Sequence, residues 1–158
     1  MSSRHPLSHI DKAGRASMVD VSGKAVTRRV AEAACRVTMS AETVATLAQL
    51  PKGDAVAVAR LAGVQGAKRT AELVPLAHPI GLEQIEVDLR PVEAGVEIHS
   101  RVVVTARTGA EMEALTACAT AALALYDMVK AVERDAVITD LRLEHKSGGR
   151  GGTYRREE

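Results

Sequence analysis

Between Ala114 and Tyr126 the chain runs for 13 residues without a charge, while Glu111, Glu113, Asp127 and Lys130 crowd the two ends of that run. At about 100° per residue, Glu113, Ala117, Thr120, Ala124 and Asp127 fall on one helical stripe, with Lys130 beside it. A helix that is apolar all round in its middle has to be buried on both sides. The sequence therefore predicts a helix packed against a sheet on one side and against another chain on the other. A core helix with solvated ends would carry the same pattern, and the helix dipole alone accounts for acids in a first turn.

The rest of the chain supplies the sheet. Ala31, Ala33, Cys35, Val37 and Met39 alternate with Glu32, Arg36 and Thr38, which reads as a half-buried strand. Ser40 caps a short helix to about Leu50, stopped by Pro51 and Gly53, and Asp54 opens a second helix to about Leu73. Pro75 and Pro79 pin the loop that follows. Ile85–Leu89 and Val96–Ala106 alternate around a turn at Pro91 to Gly95, a hairpin pattern. Thr108 and Glu111 read as the N-cap and N3 positions of a capping box that opens the long helix, which runs to about Glu133. A last strand spans Val137–Leu143.

Strand, helices, strand, strand, helix, strand is the order of an α+β fold: a ferredoxin-like antiparallel sheet with helices packed on one face. A chain of 158 residues suits one such domain. It divides into a flexible N-terminal arm (1–17), a single α+β domain (18–147) that starts with a short extended piece, Met18–Lys24, and a glycine-rich basic tail (148–158).

Composition narrows the function. There is no Phe or Trp, and Tyr126 and Tyr154 are the only aromatic side chains of that class, which argues against modules that stack single-stranded bases. With 21 Lys+Arg against 20 Asp+Glu, no global field draws in a nucleic acid or an acidic membrane, and neither partner is expected. Cys35 and Cys118 fit a reduced compartment and form no zinc spacing; the histidines do not cluster with Cys or Asp, so no metal site is expected. The N-terminus lacks the apolar core of a signal peptide, and no apolar run reaches the ~20 residues of a membrane span. A cytoplasmic location is the expectation.

Several segments carry chemistry-bearing residues, each with a plain structural alternative. Lys52-Gly53-Asp54 at a helix start can meet a phosphate, or form a solvated turn with Asp54 as N-cap. Lys68 and Arg69 sit where a helix dipole welcomes cations anyway. Gly63-Val64-Gln65-Gly66 matches the GxxG of KH domains, but inside a helical pattern and over only four residues. His78 can exchange a proton near neutral pH, or simply fill its loop. The stretch Lys146–Gly152 brings backbone N–H groups and cations toward a phosphate, or trails as a tail; it lacks the P-loop order. Mixed Lys, Asp, Glu and His suit acid–base chemistry on an anionic substrate.

Six motifs stand in the order and spacing of one family. They are Met18-Val19-Asp20-Val21-Ser22-Gly23-Lys24, Lys52-Gly53-Asp54, Ala67-Lys68-Arg69-Thr70 through Pro75-Leu76-Ala77-His78-Pro79, Glu111-Met112-Glu113-Ala114-Leu115-Thr116, Tyr126-Asp127-Met128-Val129-Lys130-Ala131-Val132 and Lys146-Ser147-Gly148-Gly149. Over about residues 7 to 152 the chain resembles the molybdenum cofactor biosynthesis protein C family. The resemblance implies a catalytic domain that rearranges a cyclised dihydro-GTP to cyclic pyranopterin monophosphate with release of pyrophosphate. It also implies a homohexamer built as three dimers, with active sites at dimer interfaces.

By position the resemblance assigns catalysis to Asp127, Lys52 and Lys130. It places Leu76, Ala77, His78, Glu111, Met112, Glu113, Lys68 and Lys146 at the substrate, with Arg29 and Arg69 also on family positions. It implies no resident cofactor, though Mg²⁺ could accompany the substrate phosphates. Family members commonly carry Cys before the loop histidine. Ala77 stands there in this chain, which removes a thiol nucleophile and favours acid–base over covalent chemistry. The alternative from another class is a non-catalytic nucleotide- or RNA-binding module of ferredoxin-like fold.

Overall fold

A computed structural model describes residues 13–157. Most of the expected N-terminal arm thus lies outside the described residues. The central strand, β1 (Thr27–Thr38), buries Ala31, Ala33, Cys35 and Val37, the alternation read from the sequence. On one edge it pairs antiparallel with β3 (Gly95–Ala106), from Thr27↔Ala106 to Thr38↔Gly95. On the other it pairs with β4 (Val137–Ser147), from Val30↔Ser147 to Thr38↔Val137. The strand β2 (Gln84–Val92) joins β3 as a hairpin closed at Val92↔Gly95, and a short β5 (Tyr154–Arg155) adds to β4. The sheet order is β2-β3-β1-β4-β5, so β1 to β4 stand as a ferredoxin-like sheet requires.

Helices α1 (Ala41–Thr46), α2 (Ala55–Lys68), α3 (Thr70–Leu73) and α4 (Glu111–Val129) complete the chain, with a 3-10 turn at Leu47–Gln49. Ser40 Oγ accepts the Thr43 N–H at 3.2 Å and Asp54 Oδ1 accepts those of Val56 and Ala57 at 3.0 Å, so both predicted N-caps form. The helices α2 and α4 lie side by side on one face of the sheet, α4 over β1, β3 and β4 and α2 over β2.

Without large aromatics the layers meet through small residues. Ala114, Ala117, Cys118, Ala121 and Ala122 of α4 are fully buried. At the α2–α4 crossing a Cβ on Gly66 would run into the Thr120 side chain, and one on Gly63 would sit 3.0 Å from the Ala117 carbonyl oxygen. The Gly63-x-x-Gly66 spacing therefore serves close helix approach, and its likeness to a KH loop ends there.

Element boundaries depart from the sequence reading in instructive places. β1 starts at Thr27 because Arg28 and Arg29 pair in register with Thr105 and Val104, although their charges break the apolar alternation. The helix expected from Asp54 to Leu73 breaks at Arg69; the Thr70 hydroxyl donates to the Ala67 carbonyl at 3.0 Å and a new turn begins. The capping box at Thr108 does not form. The first helical residue is Glu111 itself, its carboxylate drawn over Gly109 and toward Lys146 Nζ at 3.7 Å. α4 ends at Val129, and Glu133 beyond it accepts the Ser40 hydroxyl at 2.8 Å. At 19 residues α4 does reach the length and hydropathy of a membrane span, and its burial against sheet and α2 accounts for that apolarity. The last strand runs on to Ser147, so Lys146 belongs to the sheet.

Candidate functional site

The N-terminal end of α4 forms one wall of a cleft of about 300 Å³. The loop after α3 supplies Leu76, Ala77 and His78, α4 supplies Glu111, Met112 and Glu113, and Val19, Val21 and Lys24 close the far side. His78 Nε2 lies 2.8 Å from the Val19 carbonyl oxygen. A carbonyl only accepts, so Nε2 carries the hydrogen, and a neutral ring keeps Nδ1 as its acceptor. Glu113 is buried; loss of water pushes its acid up to about 7, and the Glu111 carboxylate nearby adds to the rise. Lys68 lines a smaller hollow that shares His78 and Glu113 with the cleft, and Lys146 reaches Glu111 from the sheet side.

The C-terminal end of α4 is built from opposite materials. Pro51 and Gly53 turn the chain, with the Gly53 N–H on the Leu50 carbonyl at 2.8 Å, and this aims Lys52 at Asp127. Lys52 Nζ donates to Asp127 Oδ2 at 2.7 Å and to the Asp127 carbonyl at 3.0 Å. Lys130, one helical turn on, holds Oδ1 at 2.7 Å. The Lys130 and Lys52 ammonium groups hold the Asp127 carboxyl at about 2, below its ordinary range, although the cluster is half exposed to water. The predicted catalytic trio is thus a single contact group.

The two groups do not meet within a chain. Glu113 and Asp127 are 14 residues apart on one helix, which at 1.5 Å per residue is about 21 Å.

A second cavity of about 400 Å³ adjoins the cleft and shares Lys24, Thr108 and Gly109 with it. Its other walls include Thr27, Arg29, Arg107 and Arg150. Gly148 and Gly149 have φ of 92° and 71°, and Cβ atoms there would strike the Arg28 carbonyl and the Arg29 guanidinium. The glycine run therefore folds flat against β1 and delivers Arg150 to the cavity. Arg29 donates to the carbonyls of Ala106 and Arg107, and Arg107 Nε to the Lys24 carbonyl, all at 3.1 Å. Sequence reasoning singled out Arg150 but not Arg107 or Thr27. Their only sequence signal is position: Thr27 opens β1 and Arg107 directly follows β3, each beside a glycine-containing loop. Among the described residues no three His, Cys, Asp or Glu side chains gather as metal ligands.

Fold and site together define a ferredoxin-like α+β protein with two adjoining cavities at one end of α4 and a Lys–Asp–Lys cluster at the other. A sequence model of the MoaC family matches residues 18–149, and the chain belongs to that family. The chain is 53% identical to the cyclic pyranopterin monophosphate synthase of Streptomyces griseus subsp. griseus over 158 residues, covering 99% of this chain and 89% of that one. It is 52% identical to the protein of that name from Thermomicrobium roseum, covering 96% and 94% of the two chains. For the one from Heliobacterium modesticaldum the identity is 50%, with 97% and 99% covered.

Proposed function

We propose that this chain is a cyclic pyranopterin monophosphate synthase of molybdenum cofactor biosynthesis. It is then a phosphorus–oxygen lyase that converts a cyclised dihydro-GTP to the cyclic monophosphate and releases pyrophosphate. The observation that carries this reading is the likeness at 50% identity or more, over nearly the whole chain, to relatives that bear that name.

The reaction needs protons moved and phosphate charge offset. In the cleft, Glu113 titrates near neutral pH and exchanges a proton with the substrate, while His78 presents Nδ1. In the clasp, Asp127 stays ionised and orients two ammonium groups, one of which gives up and regains a proton. Because the two groups stand about 21 Å apart on α4, each working site takes its cleft from one protomer and its clasp from another. A homohexamer of three dimers, located in the cytoplasm, provides such sites. No resident cofactor takes part in this scheme, and Mg²⁺ accompanies the substrate phosphates at most.

Incubation with the cyclised dihydro-GTP, reading pyrophosphate and the pterin product, tests the reaction. Turnover is expected. A salt-sensitive shift of RNA without turnover would replace this reading with a nucleic-acid-binding module. Light scattering is expected to give close to six times 16.7 kDa, and a monodisperse active monomer would overturn the shared site.

A further inference from the structure

We propose that Glu133, beyond the end of α4, is a positioning residue that seats Lys52 on Asp127. Its value to catalysis rests on the reading of Lys52, Asp127 and Lys130 as proton-handling groups of the reaction assigned above; the seating itself is a property of the fold.

Lys52 has to be placed by its backbone. Its ion pair with Asp127 leaves 43% and 53% of the two side chains exposed, and pairs this open to water hold a geometry only weakly. Lys52 lies in the turn that ends a segment starting at Ser40 and running through α1 and the 3-10 turn. Among the described residues, hydrogen bonds join that segment to the last turn of α4 and the turn beyond it at two places. One is Lys52 on Asp127 itself. The other is Glu133, whose carboxylate accepts the Ser40 N–H at 3.0 Å and the Ser40 hydroxyl at 2.8 Å. The Thr43 hydroxyl, the Ser40 hydroxyl and the Ser40 N–H hold the Glu133 carboxyl below its ordinary range, so this link stays charged.

The Glu133 side of the link is firmly built. The N–H groups of Val132 and Glu133 both donate to the Val129 carbonyl at 2.9 Å and carry the coil of α4 on past Lys130. Tyr126, one of only two tyrosines in a chain without Phe or Trp, donates its hydroxyl to the Arg134 carbonyl at 3.1 Å. That bond folds the turn back onto α4 beside Asp127. A carboxylate just past a helix C-terminus meets the negative end of the dipole, an unfavourable place that the Ser40 and Thr43 donors offset. Ser40 Oγ also accepts the Thr43 N–H as N-cap, so the contact with Glu133 fixes where α1 starts as well as what it leads to. Ser40–Glu133 and Lys52–Asp127 thus close one frame from its two ends.

Labelling the full-length protein with an amine-selective acylating reagent, read peptide by peptide by mass spectrometry, tests the seating without reference to turnover. A lysine released from Asp127 gives up its proton more readily and acylates faster. In E133A, Lys52 is expected to label at least about threefold faster while Lys68 is unchanged. With the cyclised dihydro-GTP, E133A should lower kcat about tenfold and change KM less than about twofold. E133Q keeps an acceptor for the Ser40 N–H and should recover part of that loss. Y126F, which removes only the hydroxyl that holds the turn, should move both readings the same way by a smaller factor and decides the matter where E133A does not fold. On a K52A background, E133A should lower kcat no further. Unchanged labelling of Lys52, faster labelling of all lysines alike, or an E133A loss that persists in full beside K52A would overturn the proposal. A wild type without turnover removes the reaction and leaves the seating to the labelling; turnover in wild type with Lys52 unmoved in E133A removes the seating alone.

Discussion

Glu113 near one end of α4 and Asp127 near the other are both carboxylates, and their surroundings push them in opposite directions. At the N-terminal end Glu113 has lost its water and, among the described residues, has no ion pair, so its proton is held up to about 7. At the C-terminal end Asp127 keeps its water and gains two ammonium groups, so its proton is lost down to about 2. The difference teaches how one element supplies both a group that exchanges protons near neutrality and one that stays charged. The uncharged middle of the helix keeps the two environments apart.

The largest expected effect probes the charged end. Lysine can give up a proton when its surroundings allow; arginine keeps the same charge and does not. If the clasp moves protons, Lys130→Arg should bind substrate yet lose about 10³-fold in kcat, as Lys130→Ala does. Steady-state kinetics of both variants, and of Lys52→Arg, check this. If both Lys→Arg variants turn over at near wild-type rates, the clasp is a charge anchor. Proton transfer then passes to His78 or a carboxylate, and the contrast between the ends collapses.

Next in size is Asp127→Asn. It keeps the shape but frees two ammonium groups from their shared carboxylate, so kcat should fall about 10²-fold with a much smaller change in KM. The sign of the pH effect follows from the lowered pKa. Whatever the clasp adds to stability is present above the ordinary carboxylate range and is lost as pH falls through about 2. Denaturation of wild type against D127N should therefore differ above pH 4 and converge toward pH 2. A gap that persists at pH 2 would mean that Asp127 acts through something other than its charge.

How far the sequence reached follows the same division. The members of the clasp were assigned by the family resemblance; the helical repeat joins Asp127 to Lys130, but no spacing joined Lys52 to either, and only the fold brings its ammonium to Asp127. The strands and their order were legible because their alternation is clean. Less visible were features set by distant backbone. The capping box failed because Glu111 is turned toward Lys146, 35 residues away in sequence. β1 extends through Arg28 and Arg29 because ladder hydrogen bonding does not require apolar side chains there. Arg107 joined the site through the Lys24 carbonyl and the Arg29 guanidinium, contacts that no spacing rule encodes. Nor does anything local reveal that Glu113 is dry, since its neighbours Glu111 and Met112 give no hint of the loop that covers it.

Glu113→Gln sharpens the dry end. A raised pKa means that the stability linked to the protonated form is complete below about 4.5 and is lost as pH rises through about 7. The glutamine variant removes that penalty. At pH 8 it should be more stable than wild type by about 3 kcal/mol at most, and at pH 4 the two should match. Denaturant midpoints at fixed chain concentration measure this. Equal stability at pH 8 would show that Glu113 is solvated or already paired, leaving no contrast with Asp127. The activity of the variant should lose the pH dependence centred near 7.

The smallest effect belongs to the middle of the helix, and it decides whether the two ends are independent. Cys118 stands on α4 about 7 Å along the axis from Glu113 and about 14 Å from Asp127. Its Sγ lies 3.3 Å from Ser100 Oγ, and Cys35 Sγ lies 3.6 Å from the Cys118 carbonyl oxygen. Both thiols are buried, and the neighbouring sulfur together with burial pushes the Cys35 thiol well up, so it stays protonated and unreactive. Cys118→Ala leaves a small void and should cost about 1 kcal/mol of stability. Neither thiol reaches the cleft or the clasp, so turnover of C118A, and of C35A, should stay within tenfold of wild type, a difference of ~1.4 kcal/mol at most. A larger loss in C118A, with the protein still folded, would mean that strain in mid-helix reaches both ends. Glu113 and Asp127 would then respond as one unit, and Lys130→Arg combined with C118A would fall short of the product of their separate effects.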